Sequence, residues 1–232
     1  MKGEQVMIKA VIFDIDGTLY DYHENDIIAM QSLCKFVKDK LNIDEELFLK
    51  IYDEAKTIVK TRLTEGSGQH SRMLFCQTAL ELMNKNPFLY ATDMYEAYWG
   101  EFLKHMKLYD GALEFLQNLK AQNIKTAVCT DMTAHIQYRK IQQLGIADLI
   151  DAIVTSEETG LEKPSPAMFE LALKKLNVKA KEAAYFGDSL ERDVKGAENC
   201  GLKPFWFIDS RKVDDSEGVG YTRVKSYRDV KF

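Results

Sequence analysis

The run Asp14-Ile15-Asp16-Gly17-Thr18-Leu19 sets two carboxylates two positions apart. On an extended chain such side chains point the same way. Crowded carboxylates repel, which raises the pKa of one of them. A hard divalent cation such as Mg²⁺, with its preference for oxygen ligands, relieves that repulsion. Gly17 suits a sharp exit from the strand where φ turns positive. Taken alone, the run also fits a solvated acidic turn. Three further segments each follow an apolar run and add complementary chemistry. Thr130 offers a hydroxyl. Lys163, in Glu162-Lys163-Pro164-Ser165-Pro166, offers a compact cation suited to a phosphate. Gly187-Asp188-Ser189-Leu190-Glu191-Arg192-Asp193 adds two acids, with Asp188 placed to reach the same cation and Asp193 further along the following helix. Each alone fits a turn, a helix cap or a wet helix face. Together they point to one site that handles a metal and an anion.

The elements that must position these groups alternate in texture. Val6–Phe13, Lys125–Cys129, Ala152–Val154, Ala183–Phe186 and Pro204–Ile208 are largely apolar at consecutive positions, as strands buried on both faces are. Between them run helical stripes: Ala112, Phe115, Leu116 and Leu119, with Asp110 as N-cap; Phe169, Ala172, Leu173 and Leu176, opened by Ser165 and Pro166; and Val194, Ala197 and Cys200, closed by Gly201. Alternation of this kind predicts an α/β fold with a parallel sheet, and ligands in such folds sit at the carboxyl ends of the strands. One stretch breaks the rhythm. From 22 to 108 there is no strand pattern, but four amphipathic stripes: Ile27–Met30–Cys34–Val37–Leu41, Leu47–Ile51–Ala55–Val59, Met73–Cys76–Leu80–Met83 and Met94–Tyr98–Leu103. The expected organisation is a core of residues 1–21 and 109–232 interrupted by an α-helical bundle at 22–108.

The 232 residues are 46% hydrophobic and 29% charged, which excludes collagen-like, low-complexity and mainly disordered chains. A formal net charge of −5 argues against a dedicated nucleic-acid binder, while leaving room for a locally positive site for a small anion. The apolar run Ala10–Phe13 is far short of a membrane span, and Lys2, Glu4 and Lys9 break any secretory hydrophobic stretch, so a cytoplasmic protein away from membranes is expected. Cys34, Cys76, Cys129 and Cys200 are widely spaced in apolar contexts and read as buried free thiols of a reducing compartment. Oligomeric state is not legible.

In this order and over nearly the whole chain, DIDGTL at 14–19, Thr130, Lys163 and GDSLERD at 187–193, with TSEETGLEKPSPAMF at 155–169, resemble the haloacid dehalogenase-like hydrolase superfamily. The resemblance implies a Rossmann-like core of strand order 3-2-1-4-5 with helices on both faces. It implies a helical cap inserted after the first strand, and Mg²⁺-dependent chemistry through an aspartyl intermediate. Within it Asp14 is the nucleophile and Asp16 the general acid and base. Asp14, Asp188 and the backbone carbonyl of Asp16 hold the metal, and Thr130 and Lys163 hold the phosphoryl oxygens. Asp193 orients Lys163 or a metal-bound water. The family's dehalogenases lack the second Asp, whereas its phosphatases carry it, so the expected substrate is a small phosphorylated metabolite such as a nucleotide or sugar phosphate. Asp131 replaces the Asn common in relatives and is a further substrate-binding candidate. The loop Glu65–Arg72, with His70 and Arg72 able to meet a second anionic group, is the candidate substrate-facing part of the cap; exposed polar residues at a helix start fit it too. Tyr20 and Tyr22 flank the expected hinge. A phosphomutase sharing the aspartyl phosphate and a non-catalytic receiver module are the alternatives. The segment from Asp209 to Phe232 carries no functional reading.

Overall fold

The computed structural model describes residues 7–208 and 220–230. In chain order the elements are β1 (Ala10–Phe13), α1 (Tyr22–Leu41), α2 (Glu45–Arg62), α3 (Arg72–Leu82), α4 (Pro87–His105), α5 (Ala112–Ala121), β2 (Lys125–Thr130) and α6 (Ala134–Gln143). Then come β3 (Ala152–Thr155), α7 (Ser156–Thr159), α8 (Pro166–Leu176), β4 (Ala183–Gly187), α9 (Gly196–Asn199), β5 (Lys203–Phe207) and β6 (Thr222–Val224). All strands pair in parallel, in the order β3-β2-β1-β4-β5-β6. The sheet therefore extends the expected 3-2-1-4-5 order by one strand. In Thr222-Arg223-Val224 only Val224 is buried, so an edge strand this short leaves no apolar run to read. The expected strand start at Val6 lies outside the described residues, as do 209–219.

The strands alternate between two apolar layers. Val11, Phe13, Val128, Phe186 and Phe205 face α5 and Tyr227, while Ile12, Ala127, Cys129 and Tyr185 face Met168, Phe169 and Ala172 of α8. The first layer continues without a break into the helices α1–α4. Two adjacent connections carry the chain into and out of these helices. They are tied by an antiparallel bridge between Tyr20 and Leu108 and by Tyr109 N–H donating to the Leu19 carbonyl at 2.8 Å.

Two local details differ from the sequence expectation. Gly111, at φ +78°, caps α5, not Asp110, which pairs instead with Arg228 at 2.7 Å. The stripe at 194–200 splits into a π-helical turn over Leu190–Lys195 followed by α9. Ser165 and Pro166 do open α8. Among the described residues no helix is long and apolar enough to cross a membrane. Cys34, Cys76 and Cys129 are buried, Cys200 is half-buried, and all four are free thiols.

Candidate active site

The parallel sheet brings the carboxyl ends of β1, β2 and β4 side by side, and the chain turns sharply after each. After β1, Leu19 N–H donates to the Ile15 carbonyl at 3.0 Å and Gly17 adopts φ +84°. A Cβ at Gly17 would fall 2.6 Å from Asp188 Oδ2, so the β1 and β4 loops meet only because this residue has no side chain. After β4, a Cβ at Gly187 would fall 2.3 Å from that of Asp193. After β2, Met132 holds φ +108°, a strained region for a residue with a side chain, of the kind that clusters at functional sites. Its N–H donates to Ser156 Oγ at 2.9 Å.

These turns converge on one buried charge cluster. Lys163 Nζ donates to Asp14 Oδ1 and to Asp193 Oδ1, each at 2.6 Å, and lies 3.3 Å from the Tyr185 hydroxyl. Asp193 Oδ2 accepts from the Ser189 N–H at 3.0 Å. Asp14, Asp188 and Asp193 each offer an oxygen within 4.8 Å of the others. Burial pushes the Asp14 carboxyl well above the ordinary carboxylate range; Lys163 opposes this, and Asp193, Asp188 and Asp16 add to it. Three carboxyl groups crowd one ammonium here. An all-oxygen donor set of this kind fits a hard divalent cation.

Asp16 stands apart from this group. Lys140 Nζ donates to its two oxygens at 2.7 and 2.8 Å, the Tyr20 hydroxyl donates to Oδ1, and Gln137 Nε2 lies 3.4 Å from Oδ2. Burial by itself raises Asp16, but the Lys140 charge and the hydrogen bonds from Lys140, Tyr20 and Gln137 outweigh it and leave the carboxyl below its ordinary range. Lys140 is fully buried, with Nζ 5.3 to 5.9 Å from the ring centres of Tyr20, Tyr22, Trp99 and Phe102. Gln137 also donates to Thr130 Oγ1 at 3.2 Å and to the Asp131 carbonyl at 3.0 Å.

Asp131 Oδ1 accepts the Lys163 backbone N–H at 3.0 Å, and its Oδ2 lies 3.5 Å from Arg192. Thr130, Asp131, Lys163, Asp14, Asp16 and Asp188 all line one cavity of about 360 Å³. Arg72 lines it from the helical side, packed 5.1 Å from the Tyr98 ring centre, its Nη2 2.5 Å from the Tyr22 hydroxyl and 3.5 Å from Asp26. His70 Nε2 lies 3.2 Å from Glu162, joining the loop before α3 to the segment that carries Lys163.

Lys140, Gln137 and Tyr185 lie outside the motifs that point to the site in the sequence. A signal for the first two exists: Ile136, Gln137, Lys140 and Ile141 share the buried face of α6, so two polar residues sit where the helical period calls for apolar ones.

A family model described as haloacid dehalogenase-like hydrolase matches residues 8–201. The chain is 37% identical to a ribulose-1,5-bisphosphate 5-phosphatase of Halopiger xanaduensis over 92% of this chain and 90% of that one. It is 30% identical to a glyceraldehyde 3-phosphate phosphatase of Methanocaldococcus jannaschii over 93% of this chain and 92% of that one. A crystal structure of a 2-haloacid dehalogenase from Pseudomonas syringae has the same fold, with a TM-score of 0.76 at 22% identity and 95% of each chain covered.

Proposed function

The chain belongs to the haloacid dehalogenase-like hydrolases, and we propose that within them it is a Mg²⁺-dependent phosphatase that hydrolyses a small sugar phosphate through an aspartyl phosphate on Asp14. The observation that carries this is the junction of buried Asp14, Lys163 and Asp193 with half-buried Asp188 beyond the sheet, with a second acid, Asp16, beside it. The phosphatase names of the two relatives support the substrate class. In the same reading, residues 1–21 and 109–232 form the catalytic core and 22–108 form a cap that roofs the cavity.

The carboxylates of Asp14 and Asp188, with the backbone carbonyl of Asp16, would hold the Mg²⁺. When bound, such an ion offsets the repulsion between an anionic nucleophile and an anionic ester. Asp14 attacks phosphorus, the ester P–O bond breaks, and its electrons leave on the alcohol oxygen, which takes a proton from Asp16. Lys163, held in place by Asp193 and by Asp131 on its backbone N–H, faces the non-bridging oxygens with the Thr130 hydroxyl. Water then attacks the aspartyl phosphate, Asp16 takes its proton, and phosphate leaves. Lys140 keeps Asp16 charged, which is the form this second step uses. The first step uses the protonated form and so requires that contact to loosen.

The test is turnover of p-nitrophenyl phosphate with Mg²⁺ and with EDTA, for the wild type and Asp14→Asn. The wild type should release phosphate only with the metal and the variant should not. Ordinary turnover by Asp14→Asn would overturn the assignment of the nucleophile.

A further inference from the structure

The cavity has two chemically different ends. The acids on its lining are Asp14, Asp16, Asp21, Asp131 and Asp188. Four of these belong to the reacting end described above, and Asp21 caps α1 by accepting the Glu24 N–H at 3.0 Å. The helical end presents Lys56, Lys60 and Arg72. Lys56 and Lys60 stand one turn apart on the same face of α2, a like-charge spacing that costs helix stability by itself. The acid paired with Lys56 is Asp53, at 3.1 Å on the exposed helix surface, a kind of pair worth little. Lys60 makes no hydrogen bond or ion pair among the described residues. Arg72 is held rigid below them by Tyr22 and Tyr98, and its Nε is buried without a hydrogen-bond partner.

We propose that Lys56, Lys60 and Arg72 form a second anion subsite, so that the substrate carries a second phosphate group at the far end from the ester that Asp14 attacks. This rests on the phosphatase reading above and deepens it. Three cations gathered at one end of a cavity, with Asp26 3.5 Å from the Arg72 guanidinium, match a dianionic phosphate better than a carboxylate. Arg72 supplies a fixed, desolvated charge, and the two lysines supply mobile ammonium groups that close over the ligand. Because Lys56, Lys60 and Arg72 come from α2 and α3 whereas Asp14 comes from the sheet, the subsite selects substrate length as well as charge.

The experiment compares kcat/KM, with Mg²⁺, for propyl and pentyl phosphate, the 1,3-propanediol and 1,5-pentanediol bisphosphates, and 5-phosphonooxypentanoate. One bisphosphate should exceed the alkyl phosphate of equal length by about tenfold or more, mainly through KM, because the extra group makes charge-assisted hydrogen bonds. In Lys56→Ala/Lys60→Ala, and more strongly in Lys60→Glu, that ratio should collapse towards one. Lys60 is exposed and Lys56 half-buried, and unfolding temperatures confirm that the variants are folded. Equal rates on the mono- and bisphosphates by the wild type, or an undiminished ratio in the double variant, would overturn the subsite. Equal use of the carboxylate-terminated ester would overturn its assignment to phosphate. Failure of the wild type to hydrolyse any ester, p-nitrophenyl phosphate included, would strike the phosphatase reading itself.

Discussion

Replacing Lys140 by Met removes one charge from a buried pair while leaving most of the volume in place. The thioether chain fills the slot between Tyr20, Tyr22, Trp99 and Phe102, so packing changes little. Asp16 then keeps the Tyr20 hydroxyl and the distant Gln137 amide but loses two charged hydrogen bonds of 2.7 and 2.8 Å. Breaking a buried ion pair on one side costs about 3–5 kcal/mol. The Asp16 side chain is 19% exposed and retains donors, so the expected loss falls at or just below the bottom of that range, about 2–3 kcal/mol near pH 7.5. The pH dependence has a definite sign. In the wild type Asp16 sits below its ordinary pKa, so its contribution is present above the unfolded value and fades as pH falls through the folded one. In the variant the Lys140 charge and hydrogen bonds are gone, and burial, opposed by the Tyr20 and Gln137 hydrogen bonds alone, lifts Asp16 above the unfolded value. A proton then relieves the buried charge, and the gap to the wild type narrows as the medium is acidified. Urea denaturation in EDTA at pH 7.5 and pH 5 reads this directly. Turnover gives a second reading: without Lys140 the charged form of Asp16 is depleted, the second step slows, and p-nitrophenol appears in a burst followed by a slow steady rate. A variant as stable as the wild type at pH 7.5, a deficit that does not shrink at pH 5, or the absence of a burst would each refute the reasoning.

The raised pKa of Asp14 predicts that the metal-free protein loses stability as pH rises through the folded pKa of that group. Mg²⁺ should therefore raise the unfolding temperature more at pH 7.5 than at pH 5, as measured by thermal melting with and without EDTA. Gly187→Ala drives a methyl group into the Asp193 side chain, 2.3 Å away, and should cost at least about 1–3 kcal/mol in urea denaturation together with a loss of kcat as Lys163 loses its orientation. Tyr227→Phe removes a buried hydroxyl that donates to the Thr18 carbonyl at 2.8 Å, and should lower stability by about 1–2 kcal/mol in the same assay.

That last contact shows where local reading stops. Tyr227 lies in the short stretch after the charged segment that begins at Asp209; its ring packs on Phe13, Phe115 and Phe207 and its hydroxyl braces the turn after β1. Nothing within a short window around it reports a partner 209 positions away. Gly111 tells the same story on a smaller scale. The composition of Asp110-Gly111 fits a cap at either residue, and close approach by Arg228 accompanies the choice of Gly111.

The sequence by itself determined the alternation of buried strands with helices, the helical insertion, and the placing of Asp14, Asp16, Thr130 and Asp188 at or just beyond strand ends, because periods of two and 3.6 residues and turn chemistry are local properties of the chain; Lys163, expected just after the third strand, is separated from β3 by α7. The sequence could not determine which acid each lysine meets. Lys163 carries a legible motif, whereas Lys140 shows in the sequence as a polar residue within the apolar period of α6, with nothing local to say which acid it meets. Only the tertiary structure turned that face of α6 inward, beneath Trp99 and Phe102 and onto Asp16, 124 positions earlier in the chain. A buried charge is tolerable only where a partner is brought to it, and that partner is chosen by packing.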